Sequence, residues 1–94
     1  MIKYVIHAKK WRDKLNGNTY HSVRILNTQN NVMIAAPFQY GYGDEFMQSA
    51  KEVMIKNNWI KDKFTPENYL ETHIITENDC LKKEVIKWGE AHND

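Results

Sequence analysis

Three segments of alternating apolar and polar residues, separated only by short polar connections, constrain the fold of this chain more than any other feature. They run over residues 2–9, 19–27 and 32–38. A period of two is typical of strands that bury one face. Because strands joined so closely pair in opposite directions, the pattern predicts an antiparallel meander. The polar stretch over residues 10–18 is predicted to form the first reversal, with Gly17 in its turn.

The period changes to that of a helix after residue 44. Apolar residues recur at helical spacing from Phe46 to Met54, while charged residues fall mostly outside this stripe. Asp44 precedes the segment and is a suitable N-cap. The pattern therefore predicts a helix over residues 45–57.

Three shorter elements are predicted in the last third of the chain. Residues 65–67, Thr-Pro-Glu, have the sequence of a helix start of about one turn, and residues 73–76 are typical of a short strand. A final helix would place four side chains on one side: Leu81, Val85, Trp88 and His92. The order β-β-β-α-β-α predicts a single α+β domain over residues 1–94, with an antiparallel sheet of three to four strands and two helices packed on one face. The other sheet face would stay partly open.

Composition and charge exclude some classes of protein but do not identify the function. The formal net charge is +1, but residues 1–24 carry six basic and one acidic side chain, and the remainder has a net charge of −4. No apolar run approaches the ~20 residues that cross a bilayer, so we expect a cytoplasmic protein without membrane contact. The single cysteine, Cys80, cannot form an intramolecular disulfide.

The titratable residues show no catalytic pattern. The four histidines have neither the i, i+4 spacing nor the His-x-His spacing of metal ligands. The carboxylates do not form a pair on one face of any predicted element. We therefore predict that the protein is not an enzyme and uses no metal or cofactor.

Two glycines lie between the third strand and the first helix, in the sequence Pro-Phe-Gln-Tyr-Gly-Tyr-Gly-Asp-Glu-Phe of residues 37–46. A glycine turn before a helix is where many proteins bind phosphate through free backbone amides. Asp44 and Glu45 in the first turn would repel an anion, and no Walker-type lysine follows. The favoured interpretation is a sharp strand-to-helix turn, although an anion site stays open.

Cations and aromatic residues concentrate in the first part of the chain. Such mixtures bind nucleic acid, where cations neutralise phosphate and rings stack on bases, and they also concentrate binding energy in protein interfaces. Solvated charges around a tryptophan that covers the core are the third interpretation. The candidate binding residues, called here the basic-aromatic set, are Lys9, Lys10, Trp11, Arg12, Lys14, Tyr20, His21, Arg24, Tyr40 and Tyr42.

Three motifs resemble a group of short proteins encoded by tailed bacteriophages. They are Trp-Arg-Asp-Lys at residues 11–14, Asn-Gly-Asn-Thr-Tyr-His-Ser-Val at residues 16–23, and Pro-Phe-Gln-Tyr-Gly-Tyr-Gly-Asp at residues 37–44. The resemblance covers about residues 3–55. It implies an accessory protein that is made in the cytoplasm of an infected bacterium.

Three kinds of partner follow as hypotheses. The leading one is a host protein, a defence or regulatory component, which the basic-aromatic set would bind so that it is inhibited or sequestered. The alternative is nucleic acid or a nucleotide-type ligand on the same surface. A homodimer is also possible through the open sheet face, where Val5, Leu26 or Met33 would be exposed.

Overall fold

The computed structural model describes residues 1–90, which form one mixed sheet and three helices. In chain order the elements are β1 (Tyr4–Asp13), β2 (Asn18–Asn27), β3 (Val32–Tyr40), α1 (Glu45–Lys56), α2 (Pro66–Leu70), β4 (Thr72–Glu77) and α3 (Lys82–Trp88). The predicted α+β class is confirmed. The predicted position of His92 lies outside the described residues. No helix within residues 1–90 is long and apolar enough to span a membrane.

The sheet has the strand order β3-β2-β1-β4. β1 pairs with β2, and β2 with β3, in antiparallel directions, as the meander predicts. β4 pairs with β1 in parallel, so the prediction of a purely antiparallel sheet is wrong in this detail. The physical reason is the crossover between β3 and β4 through α1 and α2. It is long enough for the chain to return to the sheet beside β1 and to run in the same direction as β1.

The hydrophobic core lies between the first face of the sheet and α1. The buried side chains of this cluster are Tyr4, Ile6, Ala8, Val23, Ile25, Ile34, Ala36, Phe46, Ala50 and Met54. The segment after α1 closes one end, where the Tyr4 and Trp59 rings stack and the Tyr4 hydroxyl donates to the Trp59 carbonyl (3.2 Å). The alternation in the sequence thus correctly predicts that residues such as Ile6, Val23 and Ile34 are buried on this face, but it fails at Phe38.

The second face of the sheet is crossed by α3. The Ser22 hydroxyl donates to the Val85 carbonyl (2.6 Å), and the Trp88 indole N–H donates to the His7 carbonyl (2.8 Å). The guanidinium of Arg24 lies 3.9 Å from the Trp88 ring centroid. The expectation that both main helices pack on one face is therefore wrong. Polar residues made this face look solvated in the sequence, but they hydrogen-bond to α3.

β1 continues through residues 10–13, although their polar sequence predicts that they belong to the turn. Trp11 pairs with Tyr20 and Arg12 with Thr19, so the actual reversal is confined to residues 14–17. The segment is polar on both sides because it extends beyond the core. Since successive strand residues face opposite ways, Lys9 and Trp11 lie on the second face while Lys10 and Arg12 lie on the first.

An irregularity interrupts the pairing of β2 with β3. Between His21 and Val23 the register shifts, so that two residues of β3, Pro37 and Phe38, lie opposite Ser22 alone. Gly89, which ends α3, packs on this bulge: a Cβ at Gly89 would lie 2.8 Å from the Phe38 backbone nitrogen. Pro37 occupies an edge strand, as its missing backbone N–H requires.

Candidate functional site

The structure divides the basic-aromatic set between two faces of the sheet. Lys9 lies on the second face, where its ammonium is 3.3 Å from Glu84 and 3.6 Å from Glu77. It also lies 4.6 Å from the Trp88 ring centroid. Together with Arg24, Lys9 therefore attaches α3 to the sheet instead of facing outward.

Lys10 and His21 lie on the first face and organise the glycine turn. The Lys10 ammonium donates to the Gly43 carbonyl (2.8 Å) and lies 4.8 Å from the Phe46 ring centroid. His21 Nδ1 donates to the Gly41 carbonyl (3.0 Å), which leaves Nε2 to accept from the Ser49 hydroxyl (2.7 Å). His21 and Ser49 are 1% and 6% exposed, so this pair joins β2, the turn and α1.

The buried position of His21 predicts how stability depends on pH. Burial lowers the pKa of His21 below its usual value of 6.5. Below about pH 6.5 the unfolded chain binds a proton that folded His21 does not. The free energy of unfolding should therefore fall with decreasing pH, by at most about 1.4 kcal/mol per pH unit from this group, until the lowered pKa is reached.

Two measurements check this prediction. NMR titration of the ring signals should show His21 neutral, with the proton on Nδ1, at pH values where a solvated imidazole is charged. Urea denaturation between pH 7.5 and pH 5.5 should show a smaller pH dependence for His21→Asn than for the wild type. A His21 ring that titrates at or above pH 6.5 would contradict the assignment.

Four aromatic rings form a contiguous cluster on the second face, next to α3. We call it the aromatic row; its members are Trp11, Tyr20, Phe38 and Tyr40. The ring centroids of Trp11 and Tyr20 are 5.6 Å apart, and those of Tyr20 and Phe38 are 5.1 Å apart with planes at 8°. Tyr40 meets Tyr20 edge to face at 5.7 Å and is 58% exposed. The other three rings are half-buried.

The orientation of these rings decides what they can bind. The distances between neighbouring ring centroids are close to the distance between neighbouring strands, so the stack runs across the sheet from β1 to β3. The faces of Tyr20 contact Trp11 and Phe38, and the outer surface of the row consists of ring edges together with Tyr40. The row is thus a rigid, apolar surface that carries the hydroxyl groups of Tyr20 and Tyr40.

Phe38 belongs to the row although the sequence places it elsewhere. Strict alternation from Val32, Ile34 and Ala36 predicts that Phe38 faces the core. The bulge at residues 37–38 reverses this and places the Phe38 ring against Tyr20. Proline within a strand was the available signal, because strands accept it mainly at edges and bulges.

Cations surround one end of the row. The Lys82 ammonium lies 5.2 Å from the Trp11 ring centroid, and two exposed cations lie at the same end of the sheet, Arg12 at its first face and Lys14 in the turn. With Trp11 and Leu81, which is 60% exposed, Arg12 and Lys14 line a shallow pocket of about 220 Å³. Within residues 1–90 Lys9 pairs with Glu77 and Glu84, and His7 is hydrogen-bonded to Glu77. None of the three rim cations forms an ion pair there, although the carboxylate-bearing Asp79 lines the same pocket.

Tyr42 is exposed and, within the described residues, makes no ring contact with the row, although it lines a shallow pocket together with Tyr40. It also lines a groove of about 700 Å³, which runs between α1 and the segment around α2. Phe64 and Tyr69 line the same groove. The structure therefore brings together five members of the basic-aromatic set, and it adds Phe38 and Lys82. The five are Trp11, Arg12, Lys14, Tyr20 and Tyr40.

The described histidines occupy different environments. His7 is hydrogen-bonded to Glu77 (2.5 Å) and packs against Trp88 in a T-shaped arrangement. His21 is buried under the glycine turn, and His73 is exposed on β4. No group of three potential metal ligands occurs within residues 1–90.

Comparison of the chain with protein-family models, with curated proteins and with solved structures yields no match.

Proposed function

We propose that this protein is a non-enzymatic accessory protein of the kind made by tailed bacteriophages. It binds a protein of the infected bacterium, a defence or regulatory component, and thereby inhibits or sequesters it. The observation that carries the proposal is the aromatic row with its rim of cations, Arg12, Lys14 and Lys82, that are not paired within the described residues. The resemblance of the sequence motifs to phage proteins supplies the setting.

The chemistry of the row favours a protein partner. Tryptophan, tyrosine and arginine contribute most of the binding energy in protein interfaces, usually at the centre of an apolar patch with a polar rim. Rings already packed against one another lose little conformational entropy when a partner covers them. The row and its rim match this composition, and the cations favour a partner with acidic groups at the edge of its binding surface.

Nucleic acid is the competing partner, and the ring geometry argues against it. A base inserted between two rings needs roughly 7 Å between them, twice the ~3.4 Å rise of stacked bases. The rings of Trp11, Tyr20 and Phe38 are separated by 5.6 and 5.1 Å, and Lys82 lies over the Trp11 ring. The rim cations would still attract phosphate, so an experiment must separate the two partners.

Capture from a bacterial lysate, with and without nuclease, makes this separation. The immobilised protein should retain a specific host protein after nuclease treatment. Raising the salt from about 50 mM to about 200 mM should weaken this complex less than roughly tenfold, whereas contacts to six or more phosphates would lose ~10³-fold or more. Recovery of no specific protein, or recovery that disappears with nuclease, would contradict the proposal.

A further inference from the structure

The two edges of the sheet differ in how they are protected from pairing with another strand. β3 forms one edge and carries Pro37 within a bulge, two features that prevent regular pairing. β4 forms the other edge with the sequence Thr-His-Ile-Ile-Thr-Glu. It has no proline, lysine or arginine and pairs with β1 over six residues without a bulge. β4 is therefore the edge at which a further strand can be added.

The ladder between β1 and β4 shows which backbone groups of β4 are available. The Tyr4 N–H donates to the Glu71 carbonyl, and alternate residues bond in a parallel ladder. Residues 73 and 75 thus direct their N–H and C=O groups toward β1. Ile74 and Thr76 direct theirs toward the open edge, and both residues are exposed, Ile74 by 38%.

We propose that two copies of this chain pair through β4, antiparallel, about a twofold axis at Ile75. In this register Ile74 of one copy lies opposite Thr76 of the other, and the two residues exchange both backbone hydrogen bonds. Because the axis repeats this pair, four hydrogen bonds form from backbone groups of Ile74 and Thr76 that have no backbone partner within residues 1–90. The two four-stranded sheets become one sheet of eight strands.

The side chains favour this register and a second copy as the occupant. His73, Ile75 and Glu77 lie on the same face, because they alternate with Ile74 and Thr76. The register places each His73 opposite Glu77 of the other copy, where the imidazole N–H can donate to the carboxylate, and Ile75 opposite Ile75. If the twofold axis lay at Ile74 instead, His73 would lie opposite Ile75 and both His73–Glu77 pairs would be lost. The strand is thus complementary to itself.

The dimer is independent of the aromatic row. The row spans β1, β2 and β3 on the second face, whereas the pairing edge lies beyond β1. A dimer would carry two rows related by the twofold axis, so a partner with two binding sites would gain avidity. Loss of dimerisation would leave the single row intact.

A charge-exchange experiment tests the register. Sedimentation equilibrium should show concentration-dependent dimers of the wild type. His73→Glu places two carboxylates opposite each other, and Glu77→Lys places an ammonium opposite His73, so each variant alone should dimerise at least about tenfold more weakly. An equimolar mixture of the two variants should recover dimers, since the introduced carboxylate of one copy then faces the introduced ammonium of the other. Gln29→Glu, in the exposed β2–β3 loop, is the control for the added charge and should dimerise as the wild type does.

A proline variant tests the backbone contacts, since Glu77 also contacts His7 and Lys9 and its replacement affects the monomer. Thr76→Pro removes an N–H that the ladder to β1 does not use. We expect it to retain a cooperative unfolding transition and to sediment as a monomer. Wild-type protein that remains monomeric at about 1 mM, a concentration at which even millimolar affinity is detectable, would overturn the proposal. So would a Thr76→Pro variant that dimerises like the wild type, or a mixture that does not recover dimers.

Discussion

Replacing Gly41 by alanine is expected to lower the free energy of unfolding by about 3 kcal/mol, the upper part of the range for overpacking a closed site. A Cβ at this position would lie 2.7 Å from His21 Cε1 and 2.9 Å from Glu45 Cβ. His21 cannot move aside easily, because Ser49 and the Gly41 carbonyl hold both ring nitrogens. The added methyl group would therefore separate β2 from the start of α1.

Gly43→Ala is the matched control, since it makes the same chemical change two residues later. Gly43 has a φ of 61°, but a Cβ there would meet no described atom within 4 Å. Its cost should be limited to about 1 kcal/mol for a left-handed backbone in a non-glycine residue. Urea denaturation of the two variants compares them directly. Equal losses, or a larger loss for Gly43→Ala, would contradict the role given to His21 at the turn.

The second large effect is expected from Trp88→Ala, with a loss of about 3 kcal/mol. Trp88 packs against the His7 ring, lies under Arg24 and near Lys9, and donates its indole N–H to the His7 carbonyl. Removal of the ring deprives α3 of these contacts on the second face. Amide hydrogen exchange should then accelerate in α3 more than in α1.

Trp88→Phe separates packing from hydrogen bonding. It retains a ring beneath Arg24 but loses the indole N–H, so a smaller loss of about 1–2 kcal/mol is expected. Denaturation and hydrogen exchange of the two variants measure both contributions. A Trp88→Ala variant within about 0.5 kcal/mol of the wild type, as for an ordinary surface substitution, would show that α3 does not depend on this residue.

Local patterns predicted the regular part of the fold. Alternation identified the strand residues that face the core, such as Ile6, Val23 and Ile34, and helical spacing placed α1 to within one residue. A Thr cap and a following proline also located α2, where the Thr65 hydroxyl accepts from the Asn68 amide. These features depend on neighbouring residues alone, which is why the sequence reveals them.

The errors arise where distant segments meet. The sequence predicts that Ser22 and Arg24 lie on a solvent-exposed face. In the structure both side chains donate hydrogen bonds to carbonyl groups of α3, which no local pattern predicts. The direction of β4 depends on the path of a long crossover, which carries no signal within residues 73–76. A bulge reverses the side on which Phe38 lies.

The sequence predicts only some of the residues that the fold brings together at the candidate site, because the other contacts also join distant segments. Residues close in sequence were grouped as one surface, but a strand sends Lys9 and Lys10 to opposite faces. Cross-strand pairing brings Trp11 next to Tyr20, while Lys82 reaches Trp11 from α3, far along the chain. A grouping by sequence proximity could not include Lys82.

If the proposed function is correct, the host protein binds the aromatic row and not the exposed aromatic surface in general. The most direct test is the dissociation constant of the captured partner for Tyr40→Ala and Tyr69→Ala. These tyrosines are 58% and 51% exposed, but Tyr40 belongs to the row and Tyr69 lines the groove beside α1. Tyr40→Ala should weaken binding by at least about tenfold, with Tyr69→Ala within about twofold of the wild type. Equal effects, or a larger effect of Tyr69→Ala, would contradict the claim.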